Sequence, residues 1–183
     1  SQNGDNVKIL IVGEGATSRL VKRSKDECSE EISNLTLAAQ KASKILGVSA
    51  LEKLDLPDNR LDSLDRLDLI KIIESQIDEW QPSIIYCHHA GDVNIDHRRL
   101  HEAVIAASRP QPHQSVKTVL SFEVPSSTEW QPPGSAPSFN PNWFVNISSQ
   151  WLLKKSALNI YKSEMRGWPH SRSIEGCEHL CRW

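Results

Sequence analysis

The sequence has no long apolar run and no long run of charge of one sign. Its longest uninterrupted apolar stretch, Ala103–Ala107, is far shorter than the roughly 18 residues that a membrane helix needs. The 183 residues include 21 lysines and arginines against 23 aspartates and glutamates, a formal net charge of −2. These two absences argue against a membrane span and against a surface for nucleic acid or anionic lipid.

Cysteine is also scarce. The chain has four cysteines, which are too few for a disulfide scaffold, and their spacing lacks the paired C-x-x-C form of a structural zinc site. Residues 1–5 are polar and short, so no secretory signal is predicted there. These features favour reduced cysteines in a cytoplasmic protein.

Short β-branched segments alternate with longer segments of helical periodicity. The strands are predicted at Val7–Val12, Ala50–Leu54, Pro82–Cys87, Val116–Val124 and Trp143–Ile147. The helices are predicted at Glu27–Leu46, Leu64–Glu79, Asp96–Ala107 and Ser149–Met165, with a last one near Ser173. The strand Pro82–Cys87 is predicted to be buried, and the apolar face of the second helix is predicted to consist of Leu67, Ile70, Ile73 and Ile77. This alternation predicts an α/β fold with a mostly parallel sheet and helices on both faces. The long polar segment Ser126–Asn142 is a candidate functional lid.

Polar chemistry is concentrated where function collects in such folds, in loops that leave the carboxyl ends of strands. The three loops are Gly13–Arg19, Pro57–Arg60 and His88–His97. Arg19 and Arg60 leave two of these strand ends, and arginine suits fixed recognition of phosphate or carboxylate. The alternative for each arginine is a role in holding its own loop.

Four of the seven histidines lie between His88 and His101. Neutral imidazole is the commonest metal ligand, and His97 follows the carboxylate of Asp96. A zincin motif is excluded because Arg98 stands where that motif has its glutamate base. The spacing alone leaves an alternative open, a helix N-terminus capped by Asp96 with solvated histidines.

Several motifs in chain order resemble the LmbE-like (PIG-L) family. They are Gly13-Glu-Gly15, Thr17-Ser-Arg19, Leu56-Pro-Asp-Asn-Arg60, Tyr86–Arg98, Leu120–Trp130, Tyr161–Arg166 and Pro169–Ser173. The resemblance implies one Rossmann-like domain over residues 1–183 and a zinc-dependent N-deacetylase. Its expected substrate is a small N-acetylated sugar or sugar conjugate.

The resemblance also assigns roles to individual residues. His97 matches a zinc ligand of the family, and Asp96 matches a neighbouring aspartate that supports the site. Asn94 stands where many members have a histidine that stabilises the oxyanion, a role that an amide donor can take. Arg60, Arg19 and Asp92 are candidate substrate-binding residues.

The family's His-Pro-Asp-Asp-Glu motif does not occur in the 183 residues. In the family it supplies two zinc ligands and the general base, and it precedes the strand matched here by Val7–Val12. The chain is therefore expected to be truncated at both ends, to lack its first strand, and to be inactive alone. An exposed strand edge favours pairing with another chain, so a chain that is either marginally stable or a homo-oligomer is expected.

Two other functions remain open. One is a non-catalytic homologue that still binds sugars or nucleotide sugars. The other is a nucleotide- or sugar-phosphate-binding module that uses Arg19, Arg60 and the glycine turn. A Rossmann oxidoreductase is disfavoured, because the turn Gly13-Glu-Gly15 lacks the third glycine of the dinucleotide fingerprint.

Overall fold

A computed structural model describes residues 4–182 of the chain. These residues group into two compact units. The first consists of the described residues up to Asp58 together with those from Asn142 onward, and the second is Asn59–Pro141. No helix within the described part of the chain is both long and apolar enough to cross a membrane.

The first unit contains a two-stranded parallel sheet and three helices. Its elements are β1 (Lys8–Gly13), α1 (Ser29–Leu46), β2 (Ala50–Leu56), α4 (Trp151–Ile160) and α5 (Ile174–Arg182). Strand β1 pairs in parallel with β2, and helix α1 makes the connection that parallel strands require. Helix α1 ends at Gly47, whose φ of 68° is the left-handed cap geometry that glycine adopts without steric cost. Helix α4 packs on α1.

The second unit repeats the βα pattern. Its elements are α2 (Arg66–Trp80), β3 (Ile84–His88), α3 (Ile95–Ala107) and β4 (Thr118–Phe122). Strands β3 and β4 pair in parallel with His88 opposite Phe122, and α2 packs on α3. The long segment predicted as a lid, Ser126–Asn142, contains one short 3₁₀ turn at Thr128–Trp130.

The α/β fold class with parallel strands is confirmed, but some details differ from the sequence prediction. Residues 143–147, predicted as a strand, have no regular secondary structure. Helix α4 ends at Ile160, five residues before the predicted end near Met165. Its C-cap residue, Tyr161, has left the helical region with ψ of 47°.

The apolar faces of two elements also differ from the prediction. On α2 the buried residues are Leu69, Ile73 and Ile77, whereas the predicted core residue Leu67 is 61% exposed. Strand β3, predicted to be buried, exposes Ile84 and Tyr86. Side chains alternate along a strand, and Cys87 lies on the face of β3 opposite to these two.

Candidate active site

The candidate site lies in the second unit, at the carboxyl ends of β3 and β4. Because these parallel neighbours end at the same edge of their sheet, the loop after β3 meets the loop after β4. His88 is the last residue of β3, His89 to Asn94 come from the first loop, and Ser127 and Thr128 come from the second. Helix α3 begins directly after the first loop and carries His97 in its first turn.

Asp92 is the polar centre of this site. Its side chain is fully buried, and each carboxylate oxygen accepts two hydrogen bonds. Oδ1 accepts the hydroxyl of Ser127 and, at 2.8 Å, the backbone N–H of Asn94. Oδ2 accepts the hydroxyl of Thr128 at 2.7 Å and lies 3.1 Å from Nδ1 of His97.

These donors determine the charge of Asp92. Burial acts to raise its pKa, but the hydrogen bonds from Ser127, Thr128, Asn94 and His97 outweigh burial and hold the pKa below its usual range. The carboxylate is therefore ionised at neutral pH. A buried, saturated carboxylate orients its neighbours, and its exposed fraction of 0% leaves no surface for a substrate in this conformation.

His97 lies beside this carboxylate with its side chain 18% exposed. Its Nδ1 also lies 3.5 Å from Oγ of Ser127. Oδ2 of Asp92 is thus an acceptor for a proton on Nδ1 of His97. A neutral ring with its proton on Nδ1 has its lone pair on Nε2.

His88 completes a small cluster of rings. Its ring stacks on that of His97, with centroids 4.0 Å apart and planes inclined by 17°. The ring of Phe122 lies on the neighbouring strand with its centroid 4.9 Å from that of His88. Burial first, and then the proximity of His97, lower the pKa of His88 to about 4, so this ring is neutral at pH 7.

The N-terminus of α3 is capped by Asn94 and not by Asp96. The side-chain oxygen of Asn94 accepts the backbone N–H of Asp96 at 2.8 Å and that of His97 at 3.4 Å. This contact fixes the first turn of the helix. The expected oxyanion role of Asn94 would use its Nδ2, while its Oδ1 serves the cap.

Asp96 points to a different part of the unit. Its buried carboxylate accepts the N–H of Asn59 at 2.7 Å and the N–H of Leu61 at 2.9 Å. These two amides flank Arg60, whose side chain is exposed. Asp96 therefore fixes the backbone on both sides of an arginine that the sequence selects as substrate-binding.

Arg19, the other candidate cation, belongs to the first unit. Its guanidinium forms ion pairs with Glu31 and, at 2.7 Å, with Glu164. Glu164 also lies 3.7 Å from the guanidinium of Arg172. In this structure Arg19 links α1 to the segment after α4, which is the loop-holding role left open by the sequence.

The segment after β4 folds over the loop after β3. His89 donates a hydrogen bond from Nε2 to the carbonyl of Pro137 at 2.8 Å, and its ring meets the edge of Phe139. Gly91 is buried where any Cβ would collide with that same carbonyl. The predicted lid is thus in contact with the histidine loop through Pro137 and Phe139.

The described residues offer an incomplete set of ligands for a metal ion. No group of three or more histidine, cysteine, aspartate or glutamate side chains within residues 4–182 is arranged to hold a metal ion. A catalytic zinc ion needs three protein ligands and an open position. His97 fits one ligand position, with Asp92 as the carboxylate behind it, and the described residues do not complete the set.

Sequence reasoning assigned no individual role to Ser127, Thr128 or His88, although His88 begins the histidine loop and the other two lie in the family motif Leu120–Trp130. Ser127 and Thr128 lie 35 and 36 positions after Asp92, so the motif alone does not show that they contact it. The parallel pairing of β3 with β4 was the available signal. Once those two strands are neighbours, the loops that follow them must share one edge.

The two parallel βα units and the histidine and carboxylate at a strand's carboxyl end define a Rossmann-like α/β protein. Residues 1–108 match the family model described as PIG-L, GlcNAc-PI de-N-acetylase. The matched segment exceeds half of the chain and includes Asp92 and His97. The chain belongs to this family. None of the curated protein sequences matches it significantly.

Eight chains of known structure match the fold. The conserved protein TT1542 from Thermus thermophilus has a TM-score of 0.65 at 20% identity, over 97% of this chain and 73% of its own. The N,N'-diacetylchitobiose deacetylase from Pyrococcus horikoshii, complexed with its inhibitor MPG, has a TM-score of 0.68 at 18% identity. That match covers 99% of this chain and 66% of the deacetylase.

A third matching structure has a different activity. GalB, the 4-carboxy-2-hydroxymuconate hydratase from Pseudomonas putida KT2440, has a TM-score of 0.65 at 17% identity. The match covers 89% of this chain and 69% of the hydratase. A deacetylase and a hydratase therefore share this fold, and the fold alone does not select between their reactions.

Proposed function

We propose that this chain is part of an N-deacetylase that hydrolyses the acetamido group of an N-acetylated sugar or sugar conjugate. Family membership supports deacetylation as the class of reaction. The observation that carries the proposal is the contact between Asp92 and His97, which lies inside the matched segment at the carboxyl end of β3. The fold shared with a diacetylchitobiose deacetylase is consistent with it.

The reaction requires water to attack the acetyl carbonyl, after which the carbon–nitrogen bond breaks and acetate and a free amine are released. A zinc ion in this family type would polarise the carbonyl and the water. In our proposal His97 is one ligand of that ion, held by Asp92. Asn94 donates from Nδ2 toward the developing oxyanion, and Arg60, fixed by Asp96, binds an oxygen-rich group of the sugar conjugate.

We also propose that this chain alone hydrolyses amides poorly or not at all. His97 alone does not hold zinc in the three-ligand geometry of a hydrolase. The His-Pro-Asp-Asp-Glu motif that carries two further ligands in the family is missing from the 183 residues. A longer form of the protein that supplies this motif is expected to be active.

A second function, sugar binding without catalysis, is favoured by the incomplete set of metal ligands among the described residues. It uses the exposed Arg60 and the site around His97, and it predicts binding that is insensitive to chelators.

We also propose that the protein is located in the cytoplasm. The free thiols of Cys28, Cys87, Cys177 and Cys181 support this proposal, because cysteines remain reduced in that compartment.

The test measures bound zinc and released acetate together. This chain and a longer form that carries the motif are each incubated with zinc and N,N'-diacetylchitobiose or N-acetylglucosamine. Deacetylation predicts about one zinc per chain and acetate release for the longer form only, both lost in His97→Ala. Sugar binding by a longer form that holds no zinc and releases no acetate would instead establish the non-catalytic function.

A further inference from the structure

The hydroxyls of Ser127 and Thr128, in the loop after β4, donate hydrogen bonds to the carboxylate of Asp92, which lies beside His97. Thr128 accepts the backbone N–H of Val124 at its Oγ1, at 2.8 Å. Its hydroxyl proton is therefore available for Oδ2 of Asp92, 2.7 Å away. Ser127 donates to the other oxygen, Oδ1. Asp92 thus takes its orientation from a loop that is 35 residues distant in sequence.

The turn that presents these hydroxyls is itself fixed. The carboxylate of Glu129 accepts the backbone N–H groups of Ser126 and Ser127. The backbone N–H groups of Ser127 and Thr128 also donate to the carbonyl of Val124, at 3.1 and 3.0 Å. Because the backbone is held on both sides, the hydroxyls lie at defined positions and not on a free loop.

We propose that Asp92 is the positioning residue of His97 and that Ser127 and Thr128 set the orientation of the Asp92 carboxylate. Oδ2 of Asp92, 3.1 Å from Nδ1 of His97, accepts the Nδ1 proton, which fixes the ring in the Nδ1–H tautomer and leaves the Nε2 lone pair outward. The carboxylate of Asp96 accepts the backbone N–H groups of Asn59 and Leu61 instead. Asp96 and His97 are also adjacent in a helix, and adjacent helical residues do not face each other. The inference deepens the proposed function and rests on it for its purpose, while the tautomer itself needs neither metal nor substrate.

Four donors surround the carboxylate of Asp92, and the loss of the carboxylate or of either hydroxyl has a different expected effect. Without the carboxylate of Asp92, the Nδ1 proton of His97 loses its acceptor and the other tautomer becomes accessible. Without the Thr128 hydroxyl, Oδ2 keeps only the imidazole as its donor and gains freedom to rotate. Without the Ser127 hydroxyl, Oδ1 keeps only the amide of Asn94. The effect on the tautomer is therefore largest for Asp92.

The experiment reads the His97 tautomer directly, by two-bond proton–nitrogen correlation NMR on the ¹⁵N-labelled chain without metal. The His97 signals are assigned from their loss in His97→Gln. We expect the Nδ1–H form in the wild type, conversion to the Nε2–H form or a mixture in Asp92→Asn, and a partial conversion in Thr128→Val. Thr128→Ser, which keeps the hydroxyl, is expected to retain the wild-type tautomer.

A control removes another buried carboxylate of similar chemistry. Glu14, in the first unit, also accepts a threonine hydroxyl and backbone amides, so Glu14→Gln tests whether general destabilisation alone changes the His97 signals. An Nε2–H ring in the wild type would overturn the inference. So would an unchanged tautomer in folded Asp92→Asn or, if that variant does not fold, in both Ser127→Ala and Thr128→Val.

The outcomes separate this inference from the proposed function. Acetate release by the longer form together with an Nε2–H ring would refute the positioning role and keep the deacetylase. The Nδ1–H ring with no zinc binding and no acetate release would keep the positioning role and refute the deacetylase.

Discussion

The rings of His88 and His97 stack almost in parallel, with centroids 4.0 Å apart. One ring ends strand β3 and the other lies in the first turn of α3, so the stack joins the two ends of the loop that contains Asp92. We expect His88→Ala to lower the free energy of unfolding by about 1–2 kcal/mol, since stacked ring pairs contribute on the order of 1 kcal/mol beyond burial.

His88→Phe is the matched variant, because phenylalanine keeps a flat ring without the imidazole nitrogens. Urea unfolding of both variants at pH 7 measures the difference. The loss should be clearly smaller in the phenylalanine variant, and equal losses in the two variants would mean that the stack contributes nothing.

Asp96 is expected to support the loop around Arg60. In Asp96→Ala the N–H groups of Asn59 and Leu61 lose a buried acceptor, which costs about 1–3 kcal/mol. The amide of Leu61, buried at 2% exposure, should then exchange faster with deuterium. Asp62→Ala is the control, since Asp62 is exposed in the same segment. Slow exchange at Leu61 in the Asp96 variant would show that the loop is held by other contacts.

Gly91 is expected to tolerate no side chain. Its missing Cβ allows the carbonyl of Pro137 to approach, and that carbonyl also accepts the hydrogen bond of His89. Gly91→Ala should displace the segment around Pro137 and cost about 1–3 kcal/mol, the range for overpacked sites. Limited proteolysis should then cut the segment around Pro137 and Phe139 faster than in the wild type.

The matched control is Gly167→Ala. A Cβ added at Gly167 meets no atom within 4 Å, so proteolysis and unfolding should remain near wild type. Equal cleavage of the Gly91→Ala variant and the wild type would argue that the segment around Pro137 does not depend on this close approach.

The acid stability of the first unit should depend on Glu14. Its carboxylate is 1% exposed and accepts the N–H groups of Ala16, Thr17 and Asp58 and the hydroxyl of Thr17. Burial acts to raise its pKa, but these hydrogen bonds lower it from 4.5 to about 2. A lowered carboxyl pKa stabilises the fold above the unfolded value, and this stability is lost as the pH falls from about 4.5 to about 2.

The size of this effect is on the order of 3 kcal/mol, since one pKa unit corresponds to about 1.4 kcal/mol. Thermal unfolding of the wild type and Glu14→Gln between pH 2 and pH 7 measures it. Their stability difference should be largest near neutral pH and should shrink below pH 4.5. A difference that does not change with pH would exclude ionised Glu14 as its source.

Local periodicity predicted most of the elements, because strands and helices have apolar repeats of two and about 3.6 residues. The predictions that were wrong depended on neighbours. Leu67 and Leu69 are both apolar residues of α2, which packs on α3, and the fold buries Leu69 while Leu67 is exposed. Residues 143–147 are apolar enough for a strand, yet Trp143 and Phe144 remain exposed without one.

The sequence by itself determined that parallel βα units place a histidine loop at the end of a strand, and its motifs determined the family. Only the tertiary structure decided which carboxylate faces His97. Asp96 is adjacent in sequence, but helix geometry turns successive side chains about 100° apart, and Asp96 faces the loop around Arg60. Asp92 lies before the helix begins, so the loop brings its carboxylate to Nδ1 of His97, where Ser127 and Thr128 hold it.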